Sequence, residues 1–367
     1  MSANSMLLNK IPTTVVTGFL GSGKTTLLAN LLKKAKGKRI AVIMNEFGEL
    51  DIDSELLRSC PFGDDSDCED ESAVLVGGED GIYELANGCI CCTVEEEFLP
   101  VMKKLIERRD QIDHILIETS GLALPKPLVQ AFNWPGIKEY CTVDAVITVV
   151  DGVAIAAGRF AADEEKVKAQ RAADESLDHD PSLQELLDDQ LNSADLVVVS
   201  KSDLLSEDEK MRVNKVIEKR LPNSVKIAYV NHGDVPLEVL IGINAQSEKG
   251  IDAIHNHHDH HHVHGAHHDH AHDHFDSVVI SIGTVDSDKL TQCVEQLLRE
   301  FNLFRIKGFA SIKNKPMRQV LQAVGKRLET HFDRLWAADE TPKTELVLIG
   351  KHLDEKAIIT ILKNAEV

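Results

Sequence analysis

The sequence predicts an α/β domain with a mostly parallel, doubly wound sheet, then a His-rich linker and a small α+β domain. Three observations carry that expectation. Short β-branched runs alternate with amphipathic stretches through the first part of the chain, the pattern of strands covered by crossover helices on both faces. The composition then breaks at a tract holding twelve of the seventeen histidines, which cannot bury a core. Past the tract, apolar alternation resumes on its own. The expected boundaries are residues 1–245, 246–275 and 276–367.

Each element has its own signal. "TTVVTGF" (Thr13–Phe19) reads as a buried strand, and "KTTLLANLLKKAK" (Lys24–Lys36) as the helix after it. "RIAVIMNEF" (Arg39–Phe47) is a second strand, "EEFLPVMKKLIERRD" (Glu96–Asp110) has helical spacing, and "DHILIETSG" (Asp113–Gly121) returns to strand. "VDAVITVVD" (Val143–Asp151), "ADLVVVSKSD" (Ala194–Asp203) and "SVKIAYV" (Ser224–Val230) complete the first series. Beyond "HNHHDHHHVHGAHHDHAHDH" (His255–His274), the stretch from Phe275 to Ile312 reads as strand, helix, strand. "RQVLQAVGKRLETHF" and "TELVLIGKH" follow, and then the helical "DEKAIITILKNA". No internal repeat is visible.

Charge and composition exclude several classes. With 40 Lys and Arg against 60 Asp and Glu the net charge is −20, which argues against binding nucleic acid through its phosphate backbone. No apolar run reaches the ~18–20 residues of a membrane span, and the N-terminus lacks a signal-peptide core, so the cytoplasm is expected. Seven cysteines in such a compartment do not suggest a disulfide framework. The acidic "GDDSDCEDES" (Gly63–Ser72) reads as a solvated loop. A homo-oligomer is compatible with all of this.

"GFLGSGKTT" fits G-x-x-x-x-G-K-[ST], with Gly18, Gly23, Lys24 and Thr25 in register, between a strand and a helix. Gly18, Gly21 and Gly23 let the loop turn successive amides, including those of Ser22 and Thr26, toward an anion, and the helix adds its dipole. Lys24 reaches the β and γ phosphates and the Thr25 hydroxyl suits Mg²⁺. In "LIETSG", Glu118 ends a strand where a carboxylate would meet Mg²⁺, and the Gly121 amide is placed to sense a γ-phosphate. Lys24 and Glu118 are therefore the catalytic candidates.

A phosphate loop does not choose the base. "VVVSKSDLL" (Val197–Leu205) stands where a guanine-reading N-K-x-D is expected. Asp203 can accept from the guanine N1–H and amine, and Lys201 can lie over the ring. Ser200 replaces the Asn, weakening one supporting contact. GTP is favoured over ATP. "NEFGELDID" (Asn45–Asp53) occupies the place of a first switch, and each of Glu46, Glu49, Asp51 and Asp53 reads more readily as a plain loop carboxylate than as a ligand.

Cys89, Cys91 and Cys92 fall in "NGCICC". Neighbouring thiolates suit Zn²⁺, Co²⁺ and Cu(I), and three thiols leave a fourth position open, as an ion to be handed on requires. Buried small side chains are the plain alternative, and a redox role lacks a C-x-x-C. The His tract lacks fixed spacing, so it would bind metal loosely, as a reservoir or tether, unless it is only a solvated linker.

Together the phosphate loop, "ETSG", "GCICC", the His-rich linker and the C-terminal domain resemble the CobW family over nearly the whole chain. These are metallochaperone GTPases of the same class as the hydrogenase and urease nickel-insertion GTPases. "ELANGCICCTV", "HILIETSGLALPKPLVQAFNWP", "GRFA", "AQRAADESLDH" and "FDSVV" bring it nearest to the cobalamin-biosynthesis branch. The resemblance places the metal motif on Cys89, Cys91 and Cys92, the phosphate loop on Gly18–Thr25, the carboxylate motif on Glu118–Gly121 and the base motif on Ser200–Asp203. It implies GTP and Mg²⁺ as cofactors, slow intrinsic hydrolysis, and Co²⁺ delivered to a cobaltochelatase. A zinc chaperone serving another metal-requiring client is the alternative within the family. Outside it stand an ATP-dependent kinase and a metal store acting through the His tract alone.

Overall fold

The computed structural model describes residues 10–45, 74–75, 82–85, 98–161, 163, 165, 167, 182–221, 225–242, 275–324, 327–337 and 340–367. Cys89, Cys91 and Cys92, the carboxylates Glu46, Glu49, Asp51 and Asp53, and the tract His255–His274 lie outside them. The chain divides into two compact units, residues 1–223 with 227–271 and residues 272–367 with 224–226. Among the described residues no helix is long and apolar enough to cross a membrane.

In the first unit the β-branched runs form β1 (Ile11–Thr17), β2 (Arg39–Asn45), β3 (Val74–Leu75), β4 (Ile82–Leu85), β5 (His114–Glu118), β6 (Cys141–Asp151), β7 (Leu196–Ser200) and β8 (Lys226–Tyr229). Their order across the sheet is β3-β2-β5-β1-β6-β7-β8, with β4 also paired to β2. β1 runs parallel to β5 and β6, β2 to β3, β4 and β5, and β6 to β7. β1 therefore lies in the middle, with β5, β2 and β3 on one side and β6, β7 and β8 on the other. Ligands of such sheets bind beyond the carboxyl ends of the strands where the order reverses, so the loop after β1 is at the expected place.

Helices follow from the same patterning. α1 (Lys24–Lys34) buries Leu27, Leu28, Leu31 and Leu32 and ends two residues before the expected Lys36. The run from Glu96 yields α2 (Leu99–Glu107), with Pro in its first turn, and then a 3-10 turn at Arg109–Gln111. α3 (Pro125–Ala131), α4 (Gly152–Ala156), α5 (Leu183–Asn192), α6 (Glu207–Glu218) and α7 (Leu237–Leu240) complete the unit. Phe98, Met102 and Leu105 join Leu128 and Phe132 against Val15, Ile43, Ile115, Ile117 and Val146, closing one core. α5 opens with a capping box in which Ser182 and Glu185 satisfy each other's amides.

The second unit is an antiparallel sheet of five strands under two helices. Its elements are β9 (Asp276–Ile282), α8 (Ser287–Glu300), β10 (Asn302–Ser311), β11 (Met317–Val324), β12 (Arg327–Leu335), β13 (Thr344–Lys351) and α9 (Glu355–Lys363). The strand order is β12-β11-β10-β13-β9. α8 contributes Leu290, Val294 and Leu297, and α9 Ile358 and Leu362, to a core shared with Ile280, Leu303, Ile306, Leu346 and Leu348. Asp286 and Asp354 cap the two helices.

One polar group inside the first unit sets a pH limit. His114 opens β5 at the end of the strand away from the phosphate loop, is 3% exposed, and meets Thr14 Oγ1 at 2.9 Å. Burial pushes its pKa down from 6.5 to about 4, although Asp144 draws it back upward. A histidine held neutral in the fold leaves stability whole above the unfolded pKa of 6.5 and removes it as pH falls toward 4. That share is about 3 kcal/mol. Denaturant unfolding at pH 7 and pH 4.5 should show wild type losing most of it while His114→Gln loses correspondingly less; equal pH slopes in the two proteins would refute this origin.

Candidate functional site

The phosphate loop begins where β1 can no longer be a strand. Gly18, Gly21 and Gly23 all have positive φ, at 136°, 73° and 99°. A Cβ on Gly18 would stand 2.1 Å from the Val149 carbonyl of β6, so only glycine lets the loop leave β1 there. Gly23 is the left-handed N-cap of α1 and makes no side-chain cap. The first-turn amides of an eleven-residue helix, with no acidic residue among them, thus end in the loop. Lys24 is 6% exposed and donates from Nζ to Phe19 O at 3.3 Å, which lays its ammonium along the loop. Thr26 is exposed beside it.

Glu118 reaches this loop from the end of β5. The Thr25 hydroxyl donates to its two oxygens at 3.1 and 3.4 Å, and the carboxylate is 5% exposed. Two hard oxygen donors from separate elements meet at the helix N-terminus, a donor set that fits Mg²⁺. The segment after Glu118 is fixed by contacts to β1: Thr119 N donates to Val16 O at 3.0 Å, and Thr119 Oγ1 to Thr17 Oγ1 at 3.0 Å. A Cβ on Gly121 would stand 2.6 Å from Leu20 N, so this backbone lies directly on the phosphate loop.

Gln190 of α5, wholly buried, supports that segment from behind. Its Nε2 donates to Gly121 O at 3.4 Å and Ala123 O at 3.3 Å, and its backbone carbonyl accepts from Thr148 Oγ1 at 2.8 Å. The sequence reading passed over it. Its signal was available: Gln190 occupies a core position in the series Leu183, Leu186, Leu187, Leu191.

The base motif is joined to the phosphate loop by two side chains. Ser200 ends β7 and donates from Oγ to Ser22 O at 2.6 Å, so the serine itself holds the loop and the shorter side chain does not forfeit the contact. Lys201 has left-handed φ of 56°, which turns Nζ to Asp151 Oδ2 at 2.5 Å and Gly21 O at 3.2 Å. Asp203 follows in the 3-10 turn Ser202–Leu204, its side chain about a third exposed at 34%.

A further segment that sequence reasoning missed, Asn231–Asp234 after β8, closes this end of the site. The Ser202 hydroxyl donates to Asn231 Oδ1, Asn30 Nδ2 of α1 donates to His232 O, and Lys34 pairs with Asp234. Lys34 also donates to Val235 O at 2.8 Å. Gly233, at φ 70°, lies so near α1 that a Cβ would be 3.0 Å from Leu27 Cα.

The described residues contain no group of three or more His, Cys, Asp or Glu that could hold a metal. Their two cysteines, Cys141 and Cys293, are buried; burial pushes the Cys141 thiol up to about 12 and that of Cys293 upward too. Neither has the thiolate character of a metal ligand. Cys89, Cys91 and Cys92, the ligands expected for a transferred ion, lie outside the described residues.

Two family models and several known proteins match the chain. Residues 12–228 match the family model described as CobW/HypB/UreG, nucleotide-binding domain. Residues 275–366 match the Cobalamin synthesis protein cobW C-terminal domain. A Pseudomonas aeruginosa protein named "Zinc chaperone CobW" is 53% identical over 98% of this chain and 92% of its own length. A Sinorhizobium sp protein of the same name is 45% identical over 95% of each chain. The Escherichia coli "Zinc chaperone YjiA" is 30% identical over 96% of this chain and 97% of its own.

The Ser200 contact is testable. Ser200→Ala should weaken GDP binding roughly fivefold in calorimetric titration, the scale of one hydrogen bond of about 1 kcal/mol. An unchanged Kd would mean that the loop holds its shape without it.

Proposed function

The chain belongs to the CobW/HypB/UreG nucleotide-binding family, and from that premise we propose that it is a GTP-hydrolysing metallochaperone. In this reading a divalent ion rests on Cys89, Cys91 and Cys92 in the GTP state and is released to a client after hydrolysis. One observation carries the coupling. β4, β2, β5 and β1 are adjacent and parallel, with Leu85 in register with Asn45, Met44 with Glu118, and Val16 with Glu118. The strand ends that precede, in sequence, the thiol segment, the first-switch segment, the "TSG" segment and the phosphate loop therefore lie at the same edge of the sheet.

The residues divide the chemistry. The amides of Gly21 to Thr26 and the Lys24 ammonium hold the phosphates and offset charge on the β–γ bridge as the bond breaks. Thr25 and Glu118 hold Mg²⁺, which when bound supplies further neutralisation of the transferring phosphoryl group. The Gly121 amide, seated against Leu20, is placed to report the γ-phosphate to the segment behind it. Asp203 and Lys201 select the base. Hydrolysis is slow in this reading, because no arginine finger or water-positioning glutamine is assigned among these residues; the buried Gln190 is engaged with loop carbonyls.

Zinc is the ion the relatives' names favour, and it suits neighbouring thiolates. Cobalt delivered to a cobaltochelatase is the second reading, favoured by the description of the C-terminal family model and by the likeness to the cobalamin branch. The His tract serves as a low-affinity reservoir beside the thiols in either case.

Titration of Zn²⁺ and Co²⁺ with a Mg·GTP analogue and with Mg·GDP tests the coupling and ranks the ions. Binding in the GTP state should be about a thousandfold tighter, roughly 4 kcal/mol. Metal should tighten the GTP analogue by the same factor. Equal affinities in the two nucleotide states would end this reading. Cys91→Ala should abolish the tight phase and deletion of His255–His274 should spare it; the reverse result would point to metal storage by the tract.

A further inference from the structure

Asp203 can read only half of a purine's polar edge. A carboxylate accepts from the N1–H and amine of guanine, but it has nothing to offer the O6 and N7 acceptors, where adenine instead presents an amino group beside N7. Discrimination at that edge calls for a donor next to the carboxylate. Nearby donors are already engaged. The Lys201 ammonium is held by Asp151 and Gly21 O, and the Ser202 hydroxyl by Asn231.

His232 is placed differently. Its Nε2 lies 3.9 Å from Asp203 Oδ2, beyond hydrogen-bond distance, with the side chain 87% exposed. The two groups stand side by side, an acceptor and a ring that supplies an N–H, close enough to meet one base edge together. Their spacing is built into the fold. His232 has left-handed φ of 49°, uncommon outside glycine, and holds it because the residues around it are fixed. Its carbonyl accepts from Asn30, Asn231 is held by Ser202, Gly233 packs on Leu27, and Asp234 is paired with Lys34. An exposed imidazole on so constrained a backbone is presented to something outside the protein.

We propose that His232 is a second base-reading residue, whose ring N–H donates to the O6/N7 edge of guanine while Asp203 accepts from N1–H and the amine. Selection for guanine then rests on a donor and an acceptor from different loops: adenine lacks the N1–H and amine that Asp203 requires, and its 6-amino group replaces the O6 acceptor, the part of the O6/N7 edge that discriminates. The inference deepens the GTP reading and depends on it.

Calorimetric titration of the full chain with GDP, IDP and ADP tests it, using wild type, Asp203→Asn, His232→Ala and His232→Gln. His232→Ala should weaken GDP and IDP by the same factor of about tenfold and leave ADP unchanged. IDP keeps O6 and lacks the amine, so an equal loss for both assigns the contact to O6/N7. His232→Gln, which retains an N–H donor, should recover most of the loss. Equal weakening of GDP and ADP in His232→Ala would show a general effect on the loop and overturn the proposal, as would an unchanged ratio of GDP to ADP. A wild type without preference for GDP, unaffected by Asp203→Asn, would instead overturn the GTP reading itself.

Discussion

The constraint on which the site depends is the close seating of the phosphate loop between β5 and β6. The Val149 carbonyl leaves no room for a Cβ on Gly18, and the Gly121 backbone leaves none beside Leu20 N. A loop wedged this way has no freedom to drift along the sheet edge. Its remaining carbonyls are held as well, Gly21 O by Lys201 and Ser22 O by Ser200. The amides are then left pointing at the ligand. The loop's shape is thus a consequence of where backbone carbonyls are held; Gly18 is required because the Val149 carbonyl comes so near, and Gly21 and Gly23 suit the positive φ the loop needs.

The same contacts join the Ser200–Asp203 segment to the phosphate loop. Ser200 ends β7, Lys201 follows it ahead of the turn that holds Asp203, and each donates to the phosphate loop. Asn231–Asp234 is fixed to Ser202 on one side and to α1, the continuation of the phosphate loop, on the other. Base pocket, phosphate loop and α1 form one braced frame. Additivity should fail for substitutions within it, because each side chain holds a neighbour that holds the ligand.

How much of this could be read beforehand depended on sequence distance. The phosphate loop, Glu118 and the Lys201–Asp203 pair were legible because their chemistry is packed into a few consecutive positions next to β-branched runs. The strands were legible for the same reason, with ends misjudged by up to three residues, as where "TTVVTGF" was carried past Thr17 and "DHILIETSG" past Glu118. Of Gln190 only its core position was legible, and of His232 nothing. Gln190 acts on Gly121, 69 positions away, and Asn30 on His232, 202 positions away, so nothing local names their partners. The antiparallel order of the second unit was likewise hidden, because alternation marks a strand and its buried face but leaves its neighbour unnamed.

The braced frame also decides where a nucleotide-dependent change can go. A γ-phosphate adds charge beside Lys24, Thr25 and Gly121, and whatever rearranges in answer must be softer than the frame. The base side is tied by side-chain bonds from β7 and by α1, so it resists. On the other side are the carboxyl ends of β5, β2 and β4, and in sequence the thiol segment falls between two anchors, Leu85 paired to β2 and Phe98 buried against Phe132 at 5.8 Å. Twelve residues run between those anchors, 86–97, and Cys89, Cys91 and Cys92 are among them.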